Sequence, residues 1–194
     1  MNSFDKNYWE ERYQKQQTQW DAGEITTPIK EYFDQIADKA TQILIPGAGN
    51  AHELEYLVSQ NFTDVTVIDI ALQPLQNISK KIPAYPTSKL IHQDFFQHNQ
   101  KYDLIIEQTF FCALNPKLRA KYVLKMKELL KPNGKIVGLL FNMDFNNPEP
   151  PFGGSVLEYQ KLFSPYFNIK VLDPAYNSIK PREGKEVFFI FENK

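Results

Sequence analysis

The sequence predicts an α/β fold: a mostly parallel, doubly wound sheet of seven strands, helices on both faces, and an antiparallel hairpin at the C-terminal end. Three observations predict it. Short β-branched runs alternate with helical periods over the first 140 residues. A strand at 42–47 stops at two glycines one residue apart and restarts as a helix. The last two strand candidates are joined by "AYNSIKPREGK", which has no helical period. Parallel neighbours need a crossover of about a dozen residues or more, usually helical, so this link predicts an antiparallel pair.

The strand candidates, in order, are "QILIPG" at 42–47, "VTVIDI" at 65–70, "KLIHQDF" at 89–95, "YDLIIEQ" at 102–108, "KIVGLLF" at 135–141, "NIKVLDP" at 168–174 and "EVFFIFE" at 186–192. Ile29, Tyr32, Phe33, Ile36 and Ala37 recur at helical spacing behind Thr27 as cap and Pro28 as first helical residue. Leu118, Tyr122, Met126, Leu129 and Leu130 repeat the pattern, and "KPNG" at 131–134 is expected to end that helix. Ser155 with Glu158 reads as a capping box ahead of Tyr159, Leu162 and Phe163. The aromatic residues of 1–27 predict a lid segment over the sheet, and the 194 residues are expected to form one domain with a full core.

Composition narrows the partner. With 22 basic and 23 acidic residues the net charge is −1, which lacks the footprint of a nucleic-acid binder and points to a small-molecule substrate. No apolar run approaches the ~20 residues of a membrane span. One cysteine, Cys112, cannot form an internal disulfide, and "MNSFDKNYWEERYQKQ" lacks the apolar core of a signal peptide. A cytoplasmic protein is expected, acting as a monomer. His52, His92 and His98 lack ligand spacing with the cysteine, so no metal site is expected.

The glycine loop carries the chemistry. In open parallel sheets ligands sit outside the carboxyl ends of the strands, where the strand order reverses. Gly47 and Gly49 fall there, able to turn the chain and to offer bare backbone to a ligand. Asp69 ends the second strand 22 residues after Gly47, placed to accept hydrogen bonds from a ribose diol, and Asp94 closes the third strand candidate within reach of an adenine amino group. A dinucleotide fingerprint would place its last glycine at position 52, which is His52, and no basic residue waits for a pyrophosphate. The loop reads G-x-G-x-A, which suits a nucleoside ligand without phosphate, and S-adenosylmethionine is such a ligand. A nicotinamide oxidoreductase is the alternative that His52 disfavours.

Longer segments carry a resemblance. "YWEERYQKQQTQWDAGEITTPI" at 8–29, "IPGAGNAHE" at 45–53, "VIDIA" at 67–71, "EQTFFCALNPKLR" at 107–119, "ELLKPNGKIVGLLF" at 128–141, "PPFGGS" at 150–155 and "NSIKPREGKE" at 177–186 together resemble the thiopurine S-methyltransferase family. The likeness is greatest to its plant-type halide and thiol methyltransferases and their bacterial relatives. It implies a Rossmann-like class I methyltransferase using S-adenosylmethionine. It also implies a cofactor site closed by Trp9, Tyr13 and Trp20, with Gly47, Asp69, Asp94 and Phe95 as contacts. Glu107 stands where relatives commonly have Asp, and Phe141 where some have Tyr. Relatives often carry Trp at the position of Tyr13, and some continue with glycine at Asn50. The pattern R-x-G-K-E implies that Arg182 lies near the substrate and steadies an anionic nucleophile.

Methyl transfer from a sulfonium to a thiolate, hydrosulfide or halide needs no proton removed in the site, since a thiol of pKa about 8.5 is already partly ionised at neutral pH. Catalysis by alignment and desolvation is expected, without a catalytic general base. Phe110, Phe111 and Phe152 are candidate walls of the substrate pocket, and Cys112 is expected to be a small buried residue. The N/D-P-P-Y/F signature of amino-group methylation is missing after the fourth strand; the look-alike "NPEPPF" at 147–152 reads as a substrate-side loop. A cofactor-binding but inactive sensor or partner protein of the same fold is the competing class.

Overall fold

The computed structural model describes residues 4–194; the first three residues of the expected lid segment lie outside it. Seven strands form one sheet in the order β3-β2-β1-β4-β5-β7-β6. The strands β1 (Ile43–Pro46) and β2 (Val65–Asp69) are buried along their whole length, as unbroken apolar runs covered on both faces must be. They pair in parallel with each other, and β1 pairs in parallel with β4 (Tyr102–Gln108) on its other side. The short β3 (Leu90–His92) extends the sheet beyond β2, while β5 (Leu130–Phe141) continues it beyond β4. The chain direction reverses at β7 (Glu186–Asn193), which lies antiparallel between β5 and β6 (Phe167–Pro174). The hairpin expected from the helix-free link is therefore present.

Two apolar layers hold the sheet. One packs Ile29, Phe33, Leu54, Leu57 and Leu75 of α2 (Thr27–Asp34), α3 (His52–Ser59) and α4 (Leu72–Lys81) on Ile43, Val67 and Ile106. The other packs Tyr122, Met126 and Phe163 of α5 (Arg119–Leu129) and α6 (Val156–Phe163) on Leu44, Ile105 and Phe189. Half of the expected capping box forms at α6: Ser155 Oγ accepts from the Glu158 N–H at 3.3 Å, while the Glu158 carboxylate accepts from Arg119 instead of the Ser155 N–H.

Four boundaries depart from the sequence reading. Thr26, not Thr27, caps α2, and the helix ends at Asp34, so Ile36 and Ala37 lie beyond it. The strand β3 stops at His92, and Asp94 instead caps a 3₁₀ turn, Phe95–Gln97, by accepting from the Phe96 N–H. "KPNG" does not separate helix from strand: α5 stops at Leu129 and β5 starts at Leu130, paired with Tyr102. The four residues form an irregularity inside the ladder, which resumes at Leu104 and Lys135, with Asn133 at φ +62°. Lastly, the lid contains a helix, α1 (Lys6–Gln14), capped by Asp5.

Candidate active site

The order of the parallel strands reverses between β1 and β4, and a cavity of about 640 Å³ opens at their C-terminal ends beneath α1. That volume suits a drug-sized ligand. The β1–α3 loop forms its floor. Gly47 and Gly49 sit at φ +77° and +51°, in the left-handed region that favours glycine. A Cβ at Gly47 would lie 2.9 Å from the Phe110 ring, whereas nothing comes within 4 Å of one at Gly49. The loop thus packs on one side and presents open peptide on the other.

Asp69, at the tip of β2, lines this cavity and is only 8 % exposed. Ala48 N–H donates to its Oδ2 and Ala71 N–H to its Oδ1, both at 2.7 Å. Burial, against those bonds, raises its pKa to about 6. Each oxygen keeps a further lone pair for a ligand hydroxyl. Asp94 and Phe95 line the same wall, with the Phe95 ring edge-on to Phe110 at 5.2 Å.

The lid covers the opening with aromatic faces. Trp20 meets Trp9 and Tyr13 edge-on at 5.7 and 5.6 Å, and all three line the cavity. Burial first, and then the charge of Asp69, hold the Tyr13 phenol protonated. Five contacts latch the segment. Glu10 Oε2 accepts from the Leu72 N–H at 2.8 Å, at the start of α4, a helix without a side-chain cap of its own. Asp21 accepts from Asn50 Nδ2 at 2.5 Å and lies 2.8 Å from His52 Nε2. Arg182 Nη2 donates to the Trp20 carbonyl at 2.6 Å, and Arg12 pairs with Glu149 at 2.8 Å.

Among the described residues, three buried donors on residues that line the cavity make no hydrogen bond: Arg12 Nε, Gln108 Nε2 and Arg182 Nη1. Gln108, at the end of β4, accepts from Thr26 Oγ1 at 3.0 Å through Oε1, but its buried Nε2 makes no hydrogen bond. Arg182 is 9 % exposed, and its Nη1, 3.5 Å from Glu186 Oε1, likewise makes none. Phe141 lies under this guanidinium, 5.9 Å from ring centre to Cζ. Open peptide at Gly49, a buried carboxylate at the next strand tip and tryptophan faces above fit an adenosyl sulfonium, the ligand expected from the loop.

Residues 4–193 match the family described as thiopurine S-methyltransferase. The chain belongs to that family. Family membership makes it an S-adenosylmethionine-dependent methyltransferase. It is 31 % identical over 185 residues to a probable thiol methyltransferase 2 of Arabidopsis thaliana, covering 92 % of this chain and 81 % of that one. It is 29 % identical over 185 residues to thiocyanate methyltransferase 1 of Brassica oleracea, with the same coverage of 92 % and 81 %. Among solved structures, the Burkholderia thailandensis 1,6-didemethyltoxoflavin-N1-methyltransferase, holding S-adenosylhomocysteine, shares the fold. Its TM-score is 0.79 at 13 % identity, covering 97 % of this chain and 87 % of that one.

Three residues that the resemblance or the aromatic pattern assigned to the site lie outside the cavity lining. Glu107 does not reach the cavity. It is buried, with Oε1 accepting from the Phe110 and Phe111 N–H groups at 2.8 Å and Oε2 from the Tyr122 hydroxyl at 2.5 Å. Burial raises its pKa to about 7. Successive strand residues point to opposite faces, so Gln108 and not Glu107 faces the ligand side. Phe111 is a core residue, 1 % exposed and packed on Tyr122 and Tyr159. Phe152 turns its ring onto Phe4, and its N–H donates to the Cys112 carbonyl, so Pro150 and Pro151 supply that stretch of wall. Phe110 does line the cavity. Cys112 is buried, its Sγ donating to the Thr109 carbonyl at 3.3 Å, and burial pushes the thiol up. Gln108, Glu10, Arg12, Asp21 and Thr26 escaped the sequence reading; their partners lie 29 to 137 residues away, and no local pattern marks them.

Proposed function

We propose that this enzyme methylates a soft anionic nucleophile, a thiolate, hydrosulfide or halide, and that its site residues divide between cofactor and acceptor. The observation that carries the acceptor reading is that two buried donors at one end of the cavity lining, Gln108 Nε2 and Arg182 Nη1, make no hydrogen bond, the latter having only a long 3.5 Å ion pair with Glu186. An unsatisfied buried donor costs roughly 1–3 kcal/mol, more when charged, and an anion relieves that cost. The names of the relatives, thiol and thiocyanate methyltransferases, agree with such an acceptor.

On the cofactor side, Gly47 and Gly49 offer peptide, Asp69 accepts from the ribose hydroxyls, Asp94 takes the adenine amino group and Phe95 lies against the base. When bound, S-adenosylmethionine supplies an electrophilic methyl group on a cationic sulfur. Trp9, Tyr13 and Trp20 give aromatic faces to that cation, each worth roughly 0.5–2 kcal/mol, and Phe141 walls the acceptor end. The latched lid excludes water, which strips the nucleophile of solvent and aligns it. Arg182 and Gln108 hold the anion in place of that water. No side chain has to remove a proton from an acceptor that arrives ionised.

The test is a panel of bisulfide, iodide, thiocyanate, thiophenol and a thiopurine with methyl-labelled cofactor. Labelled methyl product with stoichiometric S-adenosylhomocysteine is expected from the sulfur or halide acceptors. Binding of S-adenosylhomocysteine with no transfer to any of them would refute the reading in favour of an inactive binding protein.

A further inference from the structure

Glu53 lies in the first turn of α3, directly behind the glycine loop, and lines the same cavity. Its neighbours are all engaged: Asp21 with Asn50 and His52, Glu55 with Lys81 at 2.6 Å, and Arg182 through Nη2 with Trp20. The Glu53 side chain is half-buried, and among the described residues no other side chain or backbone group donates a hydrogen bond to its carboxylate. Burial raises its pKa, with Arg182 and His52 acting weakly against that. A carboxylate set into a cavity wall without a protein donor is unfavourable, and the helix N-terminus offsets only part of the cost.

The ligand of this cavity supplies the missing donor. The methyl-donor reading, on which this inference rests, brings two cationic centres. A sulfonium has no N–H and is served by aromatic faces, whereas an α-ammonium has three donors and wants an oxygen acceptor. Asp69 sits at the strand tip with the ribose role, and Asp94 is tied to the Phe96 N–H. Glu53 is the remaining carboxylate behind the loop without a protein donor. We propose that Glu53 accepts the hydrogen bonds of the α-ammonium group at the amino-acid end of the cofactor.

Calorimetry on the full chain tests this with three probes. S-adenosylhomocysteine carries ammonium and carboxylate, its decarboxylated analogue keeps only the ammonium, and 5′-methylthioadenosine has neither. Glu53→Gln is expected to weaken the first two by roughly tenfold to a hundredfold, the range of a charge-assisted hydrogen bond, and methylthioadenosine by less than about twofold. Glu53→Asp, which keeps the charge one methylene short, is expected to show the same ranking with smaller losses, and serves if the Gln variant fails to fold. Equal losses for all three probes, or none, overturn the assignment while the methyl-donor reading stands. Failure of the native chain to bind any of the three overturns that reading, and this inference with it.

Discussion

Asp69 is gripped from the protein side by the Ala48 and Ala71 N–H groups, and its remaining lone pairs are directed to the cavity. Replacing it with alanine is expected to weaken S-adenosylhomocysteine binding by roughly 1–3 kcal/mol, read by calorimetry; unchanged affinity in a folded variant contradicts the ribose assignment. Ribose hydroxyls donate, so they prefer the ionised carboxylate, and the folded pKa is about 6. Affinity should therefore rise with pH between 5 and about 7 and then level off, and a flat profile would count against the contact. Glu107 gives a second pH signature. Its folded pKa of about 7 exceeds the ordinary 4.5, so in that window the folded chain holds a proton that the unfolded chain has lost. Its contribution to stability is complete below pH 4.5 and declines as pH rises through 7. In urea denaturation the stability of the native chain relative to Glu107→Gln should fall across that interval; a rise would mean the carboxyl is ionised in the fold. A residue's place in the cavity lining was legible where one strand tip decides it, as at Asp69. It was not legible at Glu107 and Gln108, where adjacent residues exchange faces and only the pairing of β4 says which one looks inward.

The elements show why the lid belongs to the site. Helix α1 buries no residue fully, so it is held by side chains at its rim, above all by Glu10 at the start of α4. Losing a cap costs about 1 kcal/mol. Glu10→Ala should thus raise the hydrogen exchange of amides in residues 6–14 by about fivefold while leaving β1 and β4 protected. Equal protection in both proteins would place the latch elsewhere. The sheet has its own tight point: a Cβ at Gly138 would lie 1.9 Å from the Glu107 carbonyl oxygen. Gly138→Ala is expected to force β5 from β4 and to cost about 1–3 kcal/mol by thermal or urea denaturation, and a neutral effect would show that the strands can yield there. The α6 cap was readable because donor and acceptor sit three residues apart. The β5 irregularity was not, because Pro132, Asn133 and Gly134 spell a turn whether the chain leaves the ladder or only bulges from it.

Across the whole molecule, a near-neutral chain with apolar central strands and a helix-free C-terminal link constrains the fold to a doubly wound sheet with a reversed last strand. The place where ligand meets backbone follows from that topology, since only the β1–β4 boundary reverses the order of parallel strands. The proposed acceptor end brings together residues far apart in sequence, Gln108 from β4 and Arg182 from the β6–β7 link, which meet only once the sheet has assembled. A crystal structure with S-adenosylhomocysteine tests the central claim most directly. The account predicts the nucleoside lying across Gly47–Gly49 with both ribose hydroxyls on Asp69 and the lid closed above it. Density for the nucleoside anywhere else, or side chains filling that crevice with the ligand present, would contradict it.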